Sequence, residues 1–164
     1  MRTWIFLFSM FVISACQVTY SSSGGQFSGA GTFSVETFKS QTALASPIYA
    51  QRLSEALKDL LLQQSPLKLA ERNGDLRYEG FVTDYRIAPV AIQGNETASL
   101  NRLTITIKVK YTNTLEPSLS FDRTFSKFAD FDAASDLLSV EEGLWITIND
   151  QLLQEIYNAS VGNW

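Results

Sequence analysis

The sequence contains no histidine, and its one cysteine is Cys16. Without histidine, His-based acid–base catalysis is excluded, and so are Ser-His-Asp and Cys-His triads. Ordinary zinc sites go with them, since they draw on several His and Cys ligands. A single cysteine leaves no disulfide within the chain. Basic runs are missing too, and the formal net charge is −4. A mildly acidic chain without a basic stripe is a poor binder of nucleic acid. No apolar run reaches the ~20 residues that a helix needs to cross a bilayer. No internal repeat is found.

What is present points first to the front of the chain. Met1-Arg2-Thr3 is a short segment with one positive charge, and Trp4 to Val12 is an apolar run broken only by Ser9. That run is too short for a membrane span and fits a secretory signal. Ile13-Ser14-Ala15-Cys16 closes it. Small residues before a cysteine read as a bacterial lipobox, with cleavage before Cys16 and lipid added to its thiol. Two or three acyl chains on one residue would anchor the protein firmly, because each buried methylene contributes ~0.8 kcal/mol. The next residue is Gln17. In well-studied Gram-negative sorting an Asp there favours the inner membrane, so Gln17 points to the outer one. Residues 1–15 are therefore expected to be removed, which leaves 149 of the 164 residues and takes the charge to −5 with the loss of Arg2.

Residues 16–31 then form a Ser/Gly-rich tether, including Ser21-Ser22-Ser23-Gly24-Gly25. No Lys-Ser or Lys-Thr pair follows these glycines, so they do not make a phosphate loop. Residues 32–164 are read as one domain. A first strand is expected over Thr32 to Lys39. Ser46-Pro47 starts a helix, with serine as cap and proline at the first position, and Tyr49, Leu53, Leu57 and Leu61 form its apolar stripe. Leu67 to Glu71 is a short strand, and Asn73-Gly74 predicts a two-residue hairpin into a strand from Asp75. The apolar phase shifts at Gly80, which suggests a bulge there. Leu103 to Tyr111 alternates cleanly, and a last strand runs through Phe121, Phe125, Phe128 and Phe131. Ser139-Val140-Glu141-Glu142 reads as a capping box that starts a helix toward Asn158. The order is β-α-β-β-β-β-α. It gives an α+β two-layer sandwich, with two amphipathic helices on one face of a four- to five-stranded sheet.

Several constellations have two readings. Glu141 and Glu142 could be paired carboxylates, but a cap and helix dipole explain them. Asp130, Asp132 and Asp136 could suggest a calcium loop, but they lack the glycine and closing glutamate of one and fit a turn or a helix entry. The four phenylalanines of the last strand are either a lipid-facing patch or core. Asn95-Glu96-Thr97 and Asn158-Ala159-Ser160 match the glycosylation sequon.

Taken in order, the chain resembles the lipopolysaccharide-assembly lipoproteins (LptE-like), in the branch found in Bacteroidetes-type bacteria. The phrases that carry this are Ser54-Glu55-Ala56-Leu57-Lys58-Asp59, Asn73-Gly74-Asp75-Leu76, Glu79-Gly80, Leu100-Asn101-Arg102-Leu103-Thr104-Ile105, Phe128-Ala129-Asp130-Phe131-Asp132 and Asn158-Ala159-Ser160-Val161. The resemblance implies a non-enzymatic outer-membrane lipoprotein without cofactor beyond its covalent lipid. It also implies a β-barrel translocon partner (LptD-like) that the protein plugs and helps to assemble, and a part in delivering lipopolysaccharide to the outer leaflet. The alternative is a free-standing periplasmic lipoprotein that binds a lipid or another envelope complex. An envelope hydrolase lacks any nucleophile arrangement to support it. Arg102, Lys108 and Lys110 lie on the wet face of the cleanest strand and could meet lipid phosphates or a partner. They could equally be a solvated strand face.

Overall fold

The computed structural model describes residues 27–90 and 99–162. The signal segment, Cys16 and residues 17–26 of the expected tether lie outside them, as does the Asn95 sequon. The elements are β1 (Thr32–Val35), β2 (Lys39–Ser40), α1 (Pro47–Gln64), β3 (Lys68–Leu69), β4 (Leu76–Pro89), β5 (Leu100–Asn113), a 3-10 turn (Pro117–Leu119), β6 (Phe121–Asp132) and α2 (Leu137–Ser160). Two helices pack on one mixed sheet of six strands, so the fold is the expected α+β sandwich. The strand order is β3-β1-β4-β5-β6, with β2 following β1 along β4. β1 runs parallel to both β3 and β4, whereas β4, β5 and β6 form an antiparallel meander. Among the described residues no helix is long and apolar enough to cross a membrane.

α1 forms where the capping chemistry places it. The Ser46 hydroxyl accepts from Ile48 N at 3.2 Å, Pro47 opens the first turn, and Ser65 N donates back to Leu61 O at 3.0 Å. Tyr49, Leu53, Leu57 and Leu61 are fully buried. α2 contributes Leu144, Ile148, Leu152 and Ile156, which recur every four residues on its inner face. Opposite them stand Leu103, Ile105, Ile107, Val109 and Tyr111 of β5. Burying each such side chain contributes about 1.5–3 kcal/mol, so the two helices and the long strands supply most of the core. Gly143 sits in α2 with open space where a Cβ would project. Gly143→Ala is expected to raise stability by about 0.5–1 kcal/mol, read as a higher urea midpoint.

Four local expectations are corrected. Asn73-Gly74 is not a hairpin. β1 lies between β3 and β4, and Phe33 is in register with both Leu69 and Leu76. Residues 70–75 cross β1 on the face of Thr32 and Ser34. Ser34 Oγ accepts from Gly74 N at 3.2 Å, and the Asp75 carboxylate accepts from Gly31 N, Thr32 N and Thr32 Oγ1 at 3.0, 2.9 and 2.8 Å. Asn73 does take the positive φ (57°) that its residue type suggests. The bulge falls between Val82 and Asp84, not at Gly80. Gly80 stays in the regular ladder opposite Val109, and it is glycine because the Phe38 ring fills the space above it, 2.6 Å from where a Cβ would be. The expected first strand is interrupted, since Phe38 turns into the core and its N–H donates to Ser54 Oγ at 2.7 Å. Finally, α2 starts at Leu137 rather than after Ser139. Ser139 lies inside the first turn and its hydroxyl donates to Asp136 O at 2.6 Å.

The end of the expected tether is folded as well. Ala30 N donates to Phe27 O at 2.7 Å, Gly31 O accepts from Lys68 N at 3.0 Å, and Phe27 and Ala30 pack on the core. Asp75 thus ties the domain's first residues to the 70–75 crossing. Three donated hydrogen bonds, the Thr32 hydroxyl first among them, hold its carboxyl below the usual carboxylate range. A folded pKa below the unfolded one means that the stabilisation is present above the unfolded pKa and is lost as pH falls through the folded one. Asp75→Asn is expected to flatten this part of the acid limb of a stability–pH curve. An acid limb unchanged in the variant would contradict the assignment.

Candidate interaction surface

The face of the sheet opposite the helices is built by the even-numbered residues of β5 and β6. Alternation along β5 sends Leu103 to Tyr111 inward, so Arg102, Thr104, Thr106, Lys108 and Lys110 point outward. The register then decides what each outward residue meets. Arg102 lies directly opposite Asp130, and Lys108 lies opposite Thr124, diagonal to Asp122 two positions along β6. Arg102 Nε donates to Asp130 Oδ1 at 2.7 Å and its second nitrogen to Oδ2 at 2.9 Å. The guanidinium also stacks on Phe128, 3.6 Å from the ring centroid. Hydrogen bonding to Arg102 holds the Asp130 carboxyl low, and the same bond raises Arg102. Lys108 pairs with Asp122 at 3.1 Å and Lys110 with Glu79 of β4 at 3.2 Å. Thr106 and Ser126 share a hydrogen bond of 2.9 Å between the charged rows.

All three cations singled out from the sequence are therefore on one open face, and each carries an acidic partner. Exposed pairs of this kind contribute only about 0–1 kcal/mol, so they hold the side chains in place more than they stabilise the fold. Arg102 is the best fixed of the three, because a bidentate pair and a stacked ring restrain the same group.

A second feature adjoins this face. A cleft of about 590 Å³ opens between the β1–β2 connection, the 70–75 crossing and α1. Lys39, Lys58, Arg72 and Arg77 line it together with Glu36, Glu71 and Glu79. Glu79 also pairs with Lys110, so the cleft and the sheet face are continuous. Sequence reasoning missed these residues. They come from four separate segments, and only the insertion of β1 between β3 and β4 brings them together.

The other constellations resolve into structure. Phe125 and Phe131 are buried, Phe121 packs partly against the core, and Phe128 is 48% exposed on the opposite face. The four rings are thus not one patch. Asp130 serves Arg102, Asp132 Oδ1 accepts from Ala134 N at 2.8 Å in a turn, and Asp136 precedes α2. Glu142 pairs with Arg52 at 3.2 Å, while Glu141 accepts from the Tyr85 hydroxyl, which itself receives Trp145 Nε1 at 2.9 Å. Burial, then the bond to Glu141, push the Tyr85 hydroxyl well up from its ordinary value. Among the described residues no group of three or more His, Cys, Asp or Glu side chains is placed to hold a metal.

Residues 30–160 match the model of a protein family described as LptE, lipopolysaccharide-assembly. Among curated proteins no sequence matches. Solved structures share the fold at low identity. A minor lipoprotein from Acinetobacter baumannii is 18% identical with a TM-score of 0.50, over 77% of this chain and 89% of that one. A hypothetical protein from Chlamydia trachomatis is 9% identical with a TM-score of 0.51, over 78% and 94%. A protein from Xanthomonas campestris is 10% identical with a TM-score of 0.52, over 80% and 82%.

Proposed function

The chain belongs to the LptE lipopolysaccharide-assembly family, and from that membership we infer that it is the lipid-anchored subunit of an outer-membrane lipopolysaccharide translocon. The carrying observation is the family match, which spans residues 30–160 and so takes in every described element of the sandwich. On this reading Cys16 bears the acyl chains, and the domain reaches into or plugs an LptD-like β-barrel. There it supports barrel assembly and the passage of lipopolysaccharide to the outer leaflet. The family is non-enzymatic, and placement is the work asked of the domain. Depleting the chain from its host should lower lipopolysaccharide at the cell surface. Unchanged surface lipopolysaccharide would instead favour a free-standing periplasmic lipoprotein.

Arg102, Lys108 and Lys110 are the proposed contacts for lipopolysaccharide phosphates, together with the cleft cations Lys39 and Arg72. The ion pairs give this reading a directional test. A phosphate reaching Lys108 or Lys110 must compete with Asp122 or Glu79. Lys108→Gln with Lys110→Gln should weaken binding of purified lipopolysaccharide, whereas Asp122→Asn with Glu79→Gln should strengthen it, each by about three- to tenfold. Equal affinity in all three proteins would remove this face from the proposal.

A further inference from the structure

Asn73-Gly74 is the only Asn-Gly pair in the chain. Such a pair can react with itself. The backbone nitrogen that follows an asparagine can attack the asparagine's side-chain carbonyl, and glycine, with no Cβ, leaves that attack unhindered. In this pair Gly74 N would lose its proton and bond to Asn73 Cγ. The Cγ–Nδ2 bond breaks, and the amide nitrogen leaves as ammonia with that proton. Water then opens the cyclic imide at either carbonyl, giving aspartate or isoaspartate. In the isoaspartate product the main chain runs through Cβ and is one methylene longer.

The fold itself calls for both members of the pair. A Cβ on residue 74 would lie 2.5 Å from Phe33 C and 2.6 Å from Ser34 N, so only glycine fits against β1. Residue 73 has φ 57°, a conformation that asparagine adopts more readily than most side chains. The structure leaves one reactant open and holds the other. Asn73 is exposed at the cleft. Gly74 is buried, and its N–H donates to Ser34 Oγ at 3.2 Å, while its carbonyl accepts from Arg77 Nε at 3.1 Å. On either side Ala70 N donates to Phe33 O at 2.8 Å and Asp75 N to Thr32 Oγ1 at 3.1 Å. To attack, Gly74 N must give up its proton and turn toward Asn73, and the Ser34 bond opposes both. Ser34 is buried as well, so hydroxide reaches that N–H only when the crossing moves.

We propose that Asn73 is a deamidation site under the control of the 70–75 crossing. It is closed while Gly74 is bonded to Ser34, and it reacts when the crossing lifts from β1. Isoaspartate then fixes the open form, because it lengthens the main chain beside a residue that has no room for one added carbon. Either product also brings a new carboxylate to the cleft that Arg72 and Arg77 line.

The test follows the peptide from Asn73 to Arg77, which trypsin releases by cutting after Arg72 and Arg77, by mass spectrometry. The full chain is incubated in detergent and mildly alkaline buffer, either folded or unfolded in guanidinium chloride. Conversion of Asn73 is expected to be about 100-fold slower in the folded chain, and slowed by the same factor as hydrogen exchange at Gly74 N, since both need the same opening. Ser34→Ala should speed the reaction about tenfold through loss of one hydrogen bond. Ile148→Val, a cavity variant of similar overall cost in the buried face of α2, should leave it unchanged. The isoaspartate chain, separated from the unmodified one, should lose exchange protection at Gly74 and Asp75. Equal rates in the folded and unfolded chain overturn the proposal. So does a rate that Ile148→Val raises as much as Ser34→Ala, or protection retained by the isoaspartate chain. If Ser34→Ala does not fold, the unmodified chain decides alone: deamidation slowed far less than exchange at Gly74 means that Asn73 reacts with the crossing closed, which also overturns it.

Discussion

Cys16→Ala is expected to move the protein from the outer-membrane fraction to the soluble envelope fraction almost completely. The reasoning starts from the sequence, where Ile13-Ser14-Ala15 precedes the only cysteine. On the proposed reading, two or three acyl chains on that residue would give a membrane affinity that one chain cannot, at ~0.8 kcal/mol per buried methylene. Among the described residues no helix is long and apolar enough to cross a membrane in its place. Fractionation and immunoblotting read the outcome directly. A variant that remains with the outer membrane would show that protein contacts, not lipid, hold it there. If the released variant still supports barrel assembly fully, the anchor concentrates the protein and the docking surfaces carry the function.

Gly74→Ala should destabilise the domain severely through one added methyl group. A Cβ at this position would lie 2.5 Å from Phe33 C and 2.6 Å from Ser34 N, both main-chain atoms of β1. Those atoms cannot yield separately, because β1 is bonded on both sides, to β3 and to β4. Relief requires the crossing to lift away, which breaks the bonds of Ser34 and Thr32 to Gly74 and Asp75. The expected loss is about 3 kcal/mol, seen as a large drop in the urea midpoint. It should also open the cleft, since Arg72, Asn73 and Arg77 flank the displaced residue. A loss below about 0.5 kcal/mol would mean that the crossing is not pinned as described. Gly143→Ala, with its opposite sign, is the control for the generic effect of adding a methyl group.

The elements that could be read from the sequence are those whose signals are local. Ser46-Pro47 and the Tyr49, Leu53, Leu57, Leu61 stripe located α1. Alternation from Leu103 to Tyr111 located β5 and its two faces, and with them the shared surface of Arg102, Lys108 and Lys110. What failed depended on partners distant in the chain. Asn73-Gly74 looks the same whether it joins neighbouring strands or crosses beneath a third, and only β1 decides between them. Gly80 resembles a break in pattern until Phe38 is seen packed over it. The start of α2 is the exception: Asp136 and Ser139 are both cap residue types, and the Ser139–Glu142 spacing favours the later one although Asp136 is the cap. The cations were placed correctly, but their neutralisation by Asp130, Asp122 and Glu79 follows from strand register. The cleft follows from the parallel insertion of β1 and left no trace in any one segment.

The central claim is that this lipoprotein works as a barrel subunit. The most direct measurement is gentle solubilisation of outer membranes from cells carrying a C-terminally tagged chain, followed by affinity capture and identification of bound proteins. The account predicts recovery of a large outer-membrane β-barrel protein in about equal amount with the tagged chain, and its loss from the barrel fraction when the chain is depleted. Capture of the chain without any large β-barrel protein, from membranes in which the barrel is present and intact, would contradict it.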